Sequence, residues 1–100
     1  MTELACAACK RSYEPARFFE GLSGFTPALE VARWTCPDCK AMSELRIEPG
    51  AVWFGYLSAA GAPHFTAVDR VPIPELRVSS SNDSLTIELG DLSFRCELDR

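Results

Sequence analysis

Cys6-Ala7-Ala8-Cys9 recurs thirty residues further along the chain as Cys36-Pro37-Asp38-Cys39, and these two C-x-x-C segments decide the fold. Both sulfurs of such a segment can point to one centre from a tight turn, and a second turn from a distant part of the chain completes a tetrahedron. Four thiolates are the number that a tetrahedral metal needs. The spacing therefore predicts a metal site whose ligands are Cys6, Cys9, Cys36 and Cys39.

Disulfides and redox thiols are the alternatives to a metal site. The first residues, Met1-Thr2-Glu3-Leu4-Ala5, lack the basic and apolar regions of a secretory signal. We therefore expect a cytoplasmic protein with reduced cysteines. The total of five cysteines is odd and does not suit a fully paired disulfide framework. A thioredoxin-like redox pair needs a long helix after it, and the sequence predicts none after either segment.

Size and charge restrict the class of partner. The 100 residues suit one domain, or one domain with a small metal-binding unit. The formal net charge is −4, and the excess of acidic residues lies in residues 48–100. Nucleic-acid binding requires a basic surface, so nucleic acid is discounted as a partner and a basic protein is favoured. No apolar run approaches the ~20 residues of a membrane span, so no membrane association is expected.

Hydrophobic alternation predicts a mainly β chain. Residues 15–22 suit one or two helical turns that begin at Pro15. The apolar run 51–58 is predicted to be covered on both faces, and residues 79–83 are predicted to be a surface loop. Pro49-Gly50 predicts a turn. Strands are predicted at residues 29–35, 42–48, 51–58 and 64–71.

The end of the chain predicts a β-hairpin. Two alternating runs, residues 84–89 and 92–98, flank Gly90-Asp91, which is a two-residue hairpin loop. With that loop Leu89 lies opposite Leu92, and the pairs Ile87 with Phe94 and Leu85 with Cys96 follow on the same face. A register slip of one residue would destroy this sorting. Cys96 is therefore predicted to be a core residue and not a nucleophile.

Aromatic residues accompany both cysteine pairs, in the pattern Cys6-x-x-Cys9-x-x-x-Tyr13-Glu14-Pro15 followed by Trp34-x-Cys36-Pro37-x-Cys39. Over residues 6–39 this pattern resembles the rubredoxin family within the wider zinc-ribbon fold group. The resemblance implies one metal held by the four cysteines, with Tyr13 and Trp34 packed around it. In rubredoxins the metal is iron and the task is electron transfer. That family usually has glycine directly after each pair, where this chain has Lys10 and Lys40.

These observations predict a zinc-ribbon (rubredoxin-like) knuckle unit followed by a small antiparallel sheet with a C-terminal hairpin. The predicted units are residues 1–48, which bind the metal, and residues 49–100, a β-rich extension packed on them; a single domain is the alternative. An S₄ ligand set accepts zinc or iron. Without glycine at Lys10 and Lys40, and with over half of the chain outside the resemblance, structural zinc is favoured over redox iron.

The predicted function is a protein–protein interaction or accessory module with a structural zinc site, which caps a basic partner. A rubredoxin-like iron electron carrier is the first alternative, and a nucleic-acid-binding ribbon that uses Lys10, Arg11 and Lys40 is the second. A catalytic zinc keeps an open coordination position, which four cysteines close. The chain also lacks H-E-x-x-H, G-x-S-x-G and a phosphate-binding glycine loop. We therefore expect no enzymatic activity.

Several other residues have more than one interpretation. His64 is most simply a surface residue near the start of a strand, although histidine can also serve as a ligand or as an acid or base. The aromatic residues of 51–57 are predicted to be core, or an interface if one face of that strand is open. Three phenylalanines are predicted to cover the metal site: Phe18, Phe19 and Phe25.

Overall fold

A computed structural model describes residues 3–58 and 61–98. Within them the chain forms one short helix and ten strands in three antiparallel sheets, which confirms the predicted mainly β class. In chain order the elements are β1 Leu4–Ala5, β2 Ser12–Tyr13, α1 Pro15–Phe19, β3 Leu22–Thr26, β4 Val31–Thr35, β5 Met42–Glu48, β6 Ala51–Ser58, β7 His64–Pro72, β8 Leu76–Ser80, β9 Ser84–Leu89 and β10 Leu92–Glu97.

The short helix α1 begins at Pro15, as predicted, because the fixed φ of proline and its missing N–H suit a first helical position. Its buried residues include Phe18 and Phe19. Directly after the helix, a Cβ on Gly21 would lie 2.5 Å from the indole nitrogen of Trp34. That indole N–H donates a 2.6 Å hydrogen bond to the carbonyl of Phe18. Glycine is therefore required where the chain leaves the helix and passes over Trp34.

The largest sheet has the strand order β3-β4-β5-β6-β7, and a second sheet has the order β8-β9-β10. A parallel bridge between Phe25 and Leu98 links the two sheets at β3. The predicted Pro49-Gly50 turn joins β5 to β6, and Gly50 has a φ of 87°. The five-stranded sheet therefore continues across the predicted boundary at residue 48.

The C-terminal hairpin has the predicted register. Leu89 pairs with Leu92, Ile87 with Phe94 and Leu85 with Cys96. Cys96 is buried, as expected for a core residue. The pairing fits the rule that a two-residue loop and one buried face together fix the register.

The structure differs from the sequence predictions at four places. Strand β3 was not predicted, and β8 extends through Ser80 into the run that was predicted to be a loop. The strand predicted from residue 29 begins at Val31. The run 51–58 is not covered on both faces, because Ala51 and Val52 are buried whereas Tyr56 is 53% exposed.

One cluster of buried side chains lies between the metal-binding segment and the hairpin. It includes Leu4 and Trp34 from the N-terminal half and Leu45, Ile87 and Cys96 from the strands that follow. Residues from both predicted units thus share one core. In the described residues, no helix has the length and apolar character needed to span a bilayer.

Candidate metal centre

The four predicted ligands come together in space. The sulfurs of Cys6, Cys9, Cys36 and Cys39 all lie within 4.8 Å of one another. Cys6 Sγ is 3.6 Å from Cys39 Sγ, and Cys9 Sγ is 3.7 Å from Cys36 Sγ. A tetrahedron with metal–sulfur bonds of about 2.3 Å has edges of about 3.8 Å. The cluster therefore has the dimensions of a tetrathiolate metal site and can hold a metal ion.

The two turns that carry the sulfurs have matching backbones. The amide of Lys10 donates to the carbonyl of Cys6 at 2.9 Å, and the amide of Lys40 donates to that of Cys36 at 3.1 Å. Both lysines have a φ of 66°. This is the left-handed conformation that glycine adopts most easily. The knuckle geometry therefore forms without the glycines that the rubredoxin pattern usually has.

The four sulfurs are not equally exposed. Cys6 and Cys36, the first cysteine of each pair, are buried, whereas Cys9 is half-buried and Cys39 is exposed. One edge of the cluster thus faces solvent, and the opposite edge faces the core. The second cysteine of each pair is therefore the one more accessible to a ligand or partner protein.

The four sulfurs differ in their acidity. Burial opposes ionisation of Cys36, but hydrogen bonds that include those from the backbone amides of Cys39 and Asp38 outweigh it and lower the pKa of that thiol to about 6. The Ala41 amide favours the Cys39 thiolate, yet loss of hydration and the three neighbouring sulfurs raise the pKa of Cys39 to about 11. Four thiolates cannot crowd together without a cation. Metal binding therefore releases protons from the cluster.

A hydroxyl and a carboxylate lie beside the site. Tyr13 donates a short hydrogen bond to Asp38 Oδ2, and its oxygen lies 3.2 Å from Cys36 Sγ. The pKa of Tyr13 is raised, chiefly because the hydroxyl donates to Asp38. Arg11 Nε lies 4.0 Å from the same carboxylate oxygen. Asp38 thus orients Tyr13 against a ligand sulfur, a role that the sequence did not reveal.

Aromatic rings connect the site to the sheet. Tyr13 meets Trp34 edge-on at 6.0 Å between ring centroids, and Trp34 stacks on Phe18 at 4.3 Å. Phe18 in turn meets Phe54 of β6 at 5.8 Å. Tyr13 and Trp34 therefore pack beside the cluster, as the resemblance implied, and Phe18 extends this packing to the sheet.

The other two phenylalanines pack towards the hairpin. Phe19 contacts Phe94 of β10 at 5.8 Å between centroids, and the backbone of Phe25 forms a parallel bridge with that of Leu98. His64 begins β7 and is exposed, with Nδ1 3.3 Å from the carbonyl oxygen of Ala62. These contacts give Phe19 and Phe25 a role between the two sheets, and they place His64 at the surface.

On the outward face of the large sheet, arginine side chains lie over aromatic rings. The guanidinium of Arg46 lies 5.0 Å from the ring centre of Phe65, and that of Arg70 lies 5.7 Å from that of Trp53. The indole N–H of Trp53 donates to Glu48 at 2.7 Å. Cation–π contacts of this kind stabilise exposed rings by about 0.5–1 kcal/mol each. This face therefore protects its aromatic residues without a covering element.

Comparisons of the chain with protein-family models, with curated proteins and with solved structures found no match. The four sulfurs and the turns that carry them are the features that indicate metal binding.

Proposed function

We propose that the four cysteines bind one zinc ion as a structural site, and that the protein is a non-enzymatic cytoplasmic module for protein–protein interaction. The observation that carries this proposal is the spacing of the sulfurs, all within 4.8 Å of one another. Four cysteine ligands fill the coordination sphere of zinc and leave no position for a substrate. The zinc would then join two turns that lie thirty residues apart in the sequence.

Charge supports a basic protein as the partner. Residues 48–100 carry eight acidic and four basic side chains. On and around the hairpin, Asp83, Glu88, Asp91 and Glu97 are all exposed. A divalent ion and the four thiolates that bind it together carry a net charge of about −2, and this charge lies in the N-terminal half of the chain. Complementary charge increases the rate and specificity of association with a basic surface.

A rubredoxin-like iron electron carrier is the second candidate. Two observations favour it: Lys10 and Lys40 adopt the left-handed turn of that family, and the exposed Cys39 gives one sulfur access to solvent. Exposure of this kind is what an electron-transfer partner needs. Zinc and iron fit the same ligand set, so the choice requires a measurement on the metal itself.

Metal analysis of the protein, purified from cells supplied with both metals, separates the two candidates. The proposal predicts one zinc per chain and a colourless solution. A red protein that contains iron and undergoes reversible one-electron reduction would establish the electron carrier instead. The Cys96→Ala variant is the matched control, because it removes a cysteine outside the cluster and should keep the metal.

The interaction function is tested by capture on the immobilised zinc-loaded protein, with a variant in which Glu88, Asp91 and Glu97 are changed to Gln, Asn and Gln. We expect one or a few basic proteins to be retained reproducibly and to be lost at high salt, because screening weakens charge pairing. Retention of the same proteins by the neutralised variant would contradict a partner that recognises the hairpin. Failure to retain any protein would contradict the interaction function itself.

A further inference from the structure

A groove of about 510 Å³ lies between the first metal-binding turn and the large sheet. We call it the knuckle groove. One wall consists of Ala5, Ala7 and Lys10, and the other of Phe54, Val68 and Val71. The residues of the first wall are exposed, whereas Phe54 and Val71 are half-buried. The second wall, which we also call the apolar floor, therefore remains accessible from solvent. The volume of the groove is that of a site for several side chains.

A β-bulge shapes the sheet side of the knuckle groove. The β6–β7 register shifts between Phe54 and Gly55, so that Phe54 pairs with Asp69 and Gly55 with Ala67. Val68 is the extra residue and is 70% exposed. A Cβ on Gly55 would lie 2.0 Å from the carbonyl oxygen of Thr66, so only glycine permits this approach of β7. The bulge thus directs an apolar side chain into the groove, as bulges near functional sites often do.

The charges around the knuckle groove are mainly acidic. Glu3, Glu44 and Asp69 line it together with a single cation among its lining residues, Lys10. Cys6 also lines it, so the negative charge of an occupied tetrathiolate site would add to that of the three carboxylates. An apolar floor with an acidic rim is complementary to a cation that is carried beside apolar groups.

We infer that the knuckle groove binds a segment of a partner protein in which a lysine or arginine lies next to apolar side chains. This inference rests on the proposed interaction function and adds to the acidic hairpin a second surface, which binds a short segment of the partner. The apolar side chains contact Phe54, Val68 and Val71, and the cation lies against Asp69 and Glu44. Because β7 is the edge strand of the five-stranded sheet, an extended segment also meets backbone donors and acceptors there.

The metal site supports one wall of this surface. Cys6 lines the groove beside Ala5 and Ala7 of the first wall, and its sulfur is 3.6 Å from that of Cys39. The floor is connected to the same site through Trp34, which stacks on Phe18, and through Phe18, which meets Phe54 edge-on. Removal of the metal should therefore abolish binding at the groove, even at positions that do not touch the metal.

Selection from a phage-displayed library of random 12-residue peptides on the immobilised zinc-loaded protein tests the inference. We expect enriched peptides to carry lysine or arginine beside apolar residues. In the wild-type protein, amide NMR signals of Ala5, Gly55 and Val68 should shift when such a peptide is added. Treatment with a chelator should reduce peptide affinity at least tenfold. Enrichment of acidic peptides, or no enrichment at all, would overturn the inference.

Two charge-reversed variants localise the binding. The groove variant is Glu44→Lys with Asp69→Lys, and the matched control is Glu88→Lys with Asp91→Lys, which changes the net charge equally on the hairpin. We expect at least a tenfold loss of affinity in the first and less than a twofold change in the second, with unchanged zinc content in both. Loss of binding in the control alone would overturn the groove but leave the interaction function intact. Unchanged binding in both variants would overturn the groove and the basic partner together.

Discussion

Lys10 has a positive φ of 66° in an exposed turn. The free-energy cost of this left-handed conformation can be measured by substituting that single residue. The left-handed conformation costs an L-residue about 1–2 kcal/mol, whereas glycine adopts it at no steric cost but loses about 0.5–1 kcal/mol of chain entropy. We therefore expect Lys10→Gly to stabilise the metal-loaded protein by about 0.5–1 kcal/mol. In thermal unfolding followed by circular dichroism, this corresponds to a rise in Tm of a few degrees.

Two further variants separate backbone strain from the lost charge. Lys10→Ala removes the ammonium group but keeps a Cβ in the left-handed turn, so it should give no comparable gain. Lys40→Gly should behave like Lys10→Gly, although it also loses the exposed hydrogen bond from Lys40 Nζ to the carbonyl of Pro37. Equal melting temperatures for Lys10→Gly and Lys10→Ala would show that the turn is not strained.

At the scale of the element, the β-bulge in the pairing of β6 with β7 depends on Gly55. A methyl group there would overlap the carbonyl oxygen of Thr66 at 2.0 Å and the ring of Phe65 at 2.7 Å. Because the carbonyl oxygen belongs to the backbone of the neighbouring strand, it cannot move without disturbing the strand pairing. We expect Gly55→Ala to destabilise the protein by about 2 kcal/mol or more, measured by urea unfolding.

Ser58→Ala provides the comparison in the same strand. It places the same methyl side chain at the end of β6 and should change the free energy of unfolding by less than about 0.5 kcal/mol. If Gly55→Ala is as stable as Ser58→Ala, the close approach of β7 to Gly55 does not exist in solution. The groove beside the bulge would then also need a different explanation.

Strands with a strong internal signal were predictable, and strands defined by their neighbours were not. The hairpin of β9 and β10 carries its own turn and its own buried face, which fixed the register in advance. Strand β3 contains Ser23 and Gly24 and has a register shift, so little in its sequence favours a strand. Strand β8 ends in Ser79 and Ser80, whose pairing with Thr86 and Leu85 outweighs the turn preference of serine.

The candidate site shows the same contrast. The four cysteines were predictable because C-x-x-C spacing itself imposes the turn that directs two sulfurs to one point. The contact of Tyr13 with Asp38 and the position of Val68 were not, since each arises where distant segments meet. The backbone at Lys10 and Lys40 was not predictable from the missing glycines, because both lysines adopt the turn that glycine would have favoured.

At the scale of the whole molecule, the metal site and the sheets are parts of one packed interior. Leu4 and Cys36 belong to the same buried cluster as Ile87 and Cys96. Trp34, two residues before a predicted ligand, is fully buried and stacks on Phe18. Loss of the metal would therefore loosen the packing of both predicted units and not of the first alone.

Cys36→Ser tests this coupling. The change removes one of four ligands, and because structural zinc contributes folding energy directly, we expect the variant to lose its metal and to melt more than 10 °C lower. Cys96→Ala, which leaves a small cavity in the core, should cost only about 1–2 kcal/mol and retain one metal per chain. Tryptophan fluorescence and circular dichroism should report a single coincident transition in the metal-loaded protein. Two separate transitions would support independent units at residues 1–48 and 49–100, and an unchanged melting temperature of Cys36→Ser would show that the site is not structural.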